Sequence, residues 1–151
     1  MLFTPAETKV VIIGGGTMGA DVAAVCARGG CATQVVELTT ERRAHLPNYF
    51  ANAMTELGYE NRIHLLTVAG SLDEVDWADV ELVIECIPER LDLKQSLFAE
   101  REKRTKPETV LASNSSSFPI SEIAAGLKTT ARMIGLHFFM PTSCNYNCHV
   151  N

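Results

Sequence analysis

Short apolar runs alternate with longer amphipathic stretches along most of this chain. The first run, Lys9–Ile13, is almost entirely Val and Ile, the pattern of a strand buried on both faces. An amphipathic segment over 18–28 follows, and Gly29 and Gly30 stop it. A second run covers 33–37. Thr39 or Thr40 can then cap a helix reaching about Leu57, which Gly58 ends. Pro47 lies inside that segment and predicts a kink or break. Runs at 64–68, 80–87, 109–112 and 132–138 read as further strands, and Pro88 closes the second of these. Residues 71–78 read as a short turn or helix. Residues 89–105 read as a helix with Leu93, Leu97 and Phe98 toward the sheet. Residues 120–127 read as a short helix. Strand and helix alternate throughout, which predicts an α/β fold: a doubly wound, mostly parallel sheet with helices on both faces.

The junction of the first strand and first helix carries candidate chemistry. Gly14-Gly-Gly-Thr-Met-Gly19 supplies a G-x-G-x-x-G pattern through Gly14, Gly16 and Gly19. The second strand ends in an acid, Glu37, 18 residues after Gly19. Strand, glycine turn, helix, strand and acid in this order form a dinucleotide-binding fingerprint of the Rossmann type. Gly14 would permit the tight turn, Gly16 the close approach of a pyrophosphate, and Gly19 the packing of helix on strand. Thr17 and Met18 complete the loop. The phosphates would sit at the helix N-terminus, where free N–H groups and the helix dipole favour anions. Glu37 would accept hydrogen bonds from the adenosine ribose hydroxyls. It would also repel a 2′-phosphate, so NAD is expected over NADP. Arg42 and Arg43 could offset that repulsion, but as helix residues they read as solvated.

Composition narrows the classes further. With 151 residues the chain is about one domain, and 46% hydrophobic with 21% charged residues is ordinary globular composition. A net charge of −5 with no basic run argues against nucleic acid as a partner. No apolar stretch is long enough to span a membrane, and the first residues lack a secretory pattern. Five cysteines without a C-x-x-C, three of them in or beside expected core elements, fit a reducing, cytoplasmic setting. Cys144, Cys148 and His149 lie close together but make a poor zinc signature, so no metal is expected.

Ligands of open α/β sheets bind beyond the C-terminal strand ends. Three segments there carry reactive groups: Cys86-Ile-Pro-Glu89 with Lys94 beyond it, Ala112-Ser-Asn-Ser-Ser-Ser117, and Gly135-Leu-His-Phe-Phe-Met140. Together with the glycine loop, these motifs resemble the NAD-binding domain of the L-3-hydroxyacyl-CoA dehydrogenase family, over about residues 10–141. The resemblance implies NAD-dependent oxidation of a 3-hydroxyacyl-CoA to the 3-ketoacyl thioester. His137 falls on the family's catalytic histidine, which takes the substrate hydroxyl proton; a histidine suits this because its pKa lies near working pH. Ser116 falls on the serine that hydrogen-bonds the substrate oxygen. Cys86, Ile87, Pro88, Glu89, Lys94 and Asn114 fall on cofactor-side positions. Read without the resemblance, His137 is a polar strand-end residue and 115–117 a polar turn. Glu89 is then a helix N-terminal acid and Lys94 a solvated helix lysine.

Two positions depart from the family pattern. Met140 replaces an Asn, and His149 stands where a Glu orients the histidine ring. The resemblance covers about half of a typical family enzyme, with the helical domain that closes the cleft and builds a homodimer missing. Residues 1–141 are therefore expected to be the cofactor domain and 142–151 an irregular tail, with slow or no turnover by the chain alone. The departures leave open a dehydrogenase of a small, carnitine-like 3-hydroxy acid, or a dinucleotide-binding module without catalysis.

Overall fold

The computed structural model describes residues 4–139 and the backbone of 148–150. Among the described residues seven strands form one sheet in the order β3-β2-β1-β4-β5-β6-β7. They are β1 (Lys9–Ile13), β2 (Ala32–Val36), β3 (Leu66–Ala69), β4 (Leu82–Glu85), β5 (Val110–Ser113), β6 (Met133–Phe138) and β7 (Cys148–Val150). The first six run parallel. The order reverses at β1, with β2 on one side and β4 on the other. This is the doubly wound Rossmann arrangement, and it opens a crevice at the C-terminal ends of β1 and β4.

Alternation along the strands sorts the core onto two faces. Val10 and Ile12 pack with Val35, Ile84 and Ala112 against α1 (Thr17–Arg28) and α2 (Thr40–Glu56), which contribute Ala20, Val22, Ala23, Leu46 and Phe50. Val11 and Ile13 pack with Val36, Val83 and Leu111 against α3 (Leu91–Arg104) and the single turn α4 (Ile120–Ile123), through Phe98 and Ile123. Residues 70–80 cover the rest of that second face with two 3-10 turns and Trp77. Both faces of the sheet are thus covered, as its apolar strands require.

Several expectations are corrected. Pro47 does not break α2, which is continuous across it. Pro47 is exposed while Leu46 and Phe50 are buried, so the proline lies on the solvent side of the helix. His64 belongs to a 3-10 helix, Glu60–Leu65, and β3 starts two residues later than its apolar run suggested. Leu93 does not face the sheet but is 40% exposed, and Phe98 fills the core in its place. The tail is not irregular throughout. Cys148–Val150 adds an antiparallel edge strand to β6, with His149 opposite His137 in register. Residues 140–147, including Met140 and Cys144, lie outside the described residues.

Candidate functional site

Three glycines shape the loop after β1. Gly14 has φ +105°, and a Cβ on it would lie 2.5 Å from the Cys86 carbonyl oxygen. Close contact there lets Cys86 N–H donate to the Ile13 carbonyl at 2.8 Å, joining β1 to the loop after β4. A Cβ on Gly19 would lie 1.8 Å from the Gly14 carbonyl oxygen, so α1 can approach β1 only with glycine there. A Cβ on Gly16 would meet nothing within 4 Å. Gly16 is also the N-cap of α1, and no side chain caps that end. The turn at Gly14 and the close packing at Gly19 thus require glycine, while the space beside Gly16 is open.

Glu37 closes the loop from β2. Its Oε2 accepts from Gly15 N–H at 2.9 Å and its Oε1 from Thr39 N–H at 2.8 Å. The carboxylate is thus held beside the glycine turn with lone pairs still free for a ligand. Gly15 is a further requirement, because a Cβ there would lie 2.9 Å from Glu37 Cβ. Arg43 is not solvated as expected: its Nη1 donates to the Glu37 and Leu38 carbonyls.

A cavity of about 750 Å³ opens from this loop. Gly14, Gly16, Thr17, Met18, Gly19 and Glu37 line one end, and Cys86, Ile87 and Pro88 line the middle. Leu38 and Leu72 close one side, and Leu93, Leu97 and Arg101 on one face of α3 close the other. Periodicity alone does not mark this face, because it turns Leu93 and Leu97 to the sheet and a charged residue such as Arg101 outward. Arg101 stacks on Trp77, its guanidinium carbon 4.4 Å from the ring centroid. Burial, followed by the adjacent Glu85 carboxylate, pushes the Cys86 thiol pKa up, so Cys86 acts as an apolar wall.

Glu89, Lys94, Asn114, Ser116 and His137 do not line this cavity; they belong to the β4–β6 side. Lys94 is not solvated: its ammonium is fully buried, 2.6 Å from Glu85 Oε2 and 3.0 Å from Glu89 Oε1. Glu85, the charged end of an apolar strand, organises this side and was not singled out in the sequence. It accepts from Ser113 Oγ at 2.6 Å and from Ile87 N–H at 2.8 Å as well as from Lys94. Ser115 Oγ donates to Glu89 Oε2 at 2.7 Å and accepts from the Phe118 backbone. Burial pushes the Glu89 pKa up, but hydrogen bonds from Ser115 and Lys94 outweigh it and hold the carboxyl below its ordinary value. Asn114 Oδ1 accepts from Phe138 N–H at 2.8 Å, tying the β5 loop to the end of β6. His137 is half-buried there, its ring centroid 4.5 Å from that of Phe139. Ser116 is exposed on the neighbouring loop.

The family described as 3-hydroxyacyl-CoA dehydrogenase, NAD binding domain, matches residues 9–146. The chain belongs to this family. A 3-hydroxybutyryl-CoA dehydrogenase of Mycobacterium tuberculosis is 38% identical over 143 residues, 88% of this chain and 49% of that protein. A fatty acid oxidation complex subunit alpha of Vibrio campbellii is 31% identical over 146 residues, 90% of this chain and 20% of that protein. The crystal structure of 3-hydroxybutyryl-CoA dehydrogenase from Escherichia coli K12 superposes with a TM-score of 0.85 at 31% identity, covering 95% of this chain and 32% of that one. The chain thus spans half or less of the length of these relatives. The cofactor of this 3-hydroxyacyl-CoA dehydrogenase domain is NAD, and the open amides at Gly16 and the fixed Glu37 carboxylate fit it. Among the described residues no helix is long and apolar enough to cross a membrane.

Proposed function

We propose that the whole protein oxidises a 3-hydroxyacyl-CoA to the 3-ketoacyl thioester, with His137 as the base and Ser116 hydrogen-bonded to the substrate oxygen. One observation carries this reading. The Asn114–Phe138 hydrogen bond joins the serine loop to the strand end bearing His137, next to the loop that follows β4. Bound NAD supplies the hydride acceptor. The α1 N-terminus and residues 14–19 hold the pyrophosphate, Glu37 the adenosine ribose, and Cys86, Ile87 and Pro88 the wall between the two halves. Glu89, with Lys94 behind it, and Asn114 serve the nicotinamide side. His137 would take the proton from the substrate hydroxyl as hydride leaves the carbon that bears it, so charge does not accumulate on the oxygen as C=O forms. In this reading the described sheet is the cofactor domain. A helical domain, homodimeric assembly and a cytoplasmic setting complete the whole protein.

The test is His137→Gln in the whole protein, assayed with acetoacetyl-CoA and NADH. We expect kcat to fall about 10²–10⁴-fold, the usual worth of a positioned base, with little change in NAD affinity. A kcat within a few-fold of wild type would remove His137 from the mechanism. A second reading, a dinucleotide-binding module without turnover, has one observation behind it. The register partner of His137 is His149, where the resemblance implies a ring-orienting Glu. NAD binding without turnover of any 3-hydroxyacyl substrate by the whole protein would favour it.

A further inference from the structure

Two carboxylates share one ammonium at the end of β4. Glu85 and Lys94 are fully enclosed, whereas the Glu89 side chain is 40% exposed. The formal charges of the three sum to −1. The enclosed pair compensates itself, so the surplus faces outward on Glu89. The exposed charges that follow Glu89 in the chain, Arg90 and Asp92, pair with each other at 2.8 Å. Glu89 itself is ionised at neutral pH, since its carboxyl titrates below the ordinary range.

The doubly wound sheet fixes where this charge falls. A dinucleotide lies across the switch point, one half on each side. Glu37, beyond β2, takes the adenosine half. The nicotinamide half therefore goes to the side of β4 and β5, where Glu89 and Ser115 meet at 2.7 Å. The nicotinamide ring is cationic in NAD+ and neutral in NADH. We propose that the unbalanced carboxylate of the Glu85–Lys94–Glu89 cluster biases this domain toward the oxidised cofactor, relative to a neutral cluster. The inference rests on the NAD reading above and adds redox-state selectivity to it. Lys94 limits the surplus to one charge by compensating Glu85. A hydrogen bond that Glu89 accepts from a ribose hydroxyl would act on both cofactor forms alike, but a charge distinguishes the cationic ring from the neutral one.

The experiment uses the 151-residue chain. Affinity for NAD+ is measured by calorimetry and for NADH by fluorescence, at one low ionic strength. Glu89→Gln should raise the ratio Kd(NAD+)/Kd(NADH) on the order of tenfold, the scale of one partly screened charge near the ring. Added salt should shrink that change. Glu89→Asp keeps the charge with a shorter reach, so its two affinities should move together and the ratio should stay within about twofold. An unchanged ratio in Glu89→Gln, with both forms weakened equally, would overturn the inference and leave the NAD reading standing. A wild-type chain that binds neither form would remove both. A ratio that moves equally in Glu89→Asp would assign the effect to geometry and overturn the role of charge.

Discussion

Lys94 Nζ lies 2.6 Å from Glu85 Oε2 with both side chains closed to solvent. Lys94 is on α3 and Glu85 ends β4, so the pair pins the helix to the sheet where the loops of the candidate site begin. Ser113 Oγ and Ile87 N–H donate to the same carboxylate, one to each oxygen. Such a pair is expensive to break on one side, because the survivor is a buried, uncompensated charge.

Lys94→Met should therefore cost about 3–5 kcal/mol of stability. Glu85→Gln combined with Lys94→Met should recover most of that loss, since the one charge left in the cluster, on Glu89, is 40% exposed. Urea unfolding of the wild type, both single variants and the double variant measures the coupling. Additive losses in the double variant would contradict the pairing.

The glycine loop separates folding from binding. Gly19→Ala places a methyl 1.8 Å from the Gly14 carbonyl oxygen and should cost more than about 3 kcal/mol. Gly16→Ala meets nothing within 4 Å, so its melting temperature should stay near wild type. The added methyl at the mouth of α1 should still weaken NAD at least about tenfold, because the pyrophosphate needs close backbone approach. Thermal melting and NAD calorimetry on the two variants check the contrast.

Glu37 should exclude the 2′-phosphate of NADP. NAD is expected to bind more tightly by at least about tenfold. Glu37→Ala should weaken NAD by about 1–3 kcal/mol, the worth of a hydrogen bond to a charged group. It should also narrow the gap between the cofactors, because Arg42 on the cavity wall then faces no carboxylate. Tighter binding of NADP than NAD by the wild type would refute the assignment.

Glu89 also gives a pH signature. Burial raises its pKa, but the bonds from Ser115 and Lys94 lower it further, so the folded value lies below the unfolded one. Its contribution to stability is then fully present above the unfolded value of about 4.3 and is lost as pH falls through the folded value. The difference in melting temperature between wild type and Glu89→Gln should be constant from about pH 7 to pH 5.5. It should then vanish in acid below the ordinary carboxylate range. A difference that grows on acidification would reverse the sign.

The strand, glycine turn and helix around 9–28 were legible because the relevant forces are local. A continuous Val and Ile run marks a strand covered on both faces, and Gly14 and Gly19 mark backbone with no room for a Cβ. The bounds of β1 agree with its apolar run, and α1 ends where Gly29 and Gly30 predict. The family's motifs were legible for the same reason: each is a short run at one strand end.

What the tertiary structure decided concerns neighbours distant in sequence. Lys94 reads as a solvated lysine or a cofactor residue until the fold encloses it with Glu85 and brings Ser113, 28 residues from Glu85, onto the same carboxylate. Leu93 and Arg101 become cavity wall because the fold brings their helix to the same cavity as the glycine loop and Leu72. The tail reads as irregular because Cys148, His149 and Val150 are too short a run to carry a periodic signal, yet the β6 edge offers them a hydrogen-bond ladder. By itself the sequence determined the glycine turn, the core alternation and the motif positions. The closed charge cluster, the groove on α3 and the strand opposite His137 arise only when the sheet order places those segments side by side.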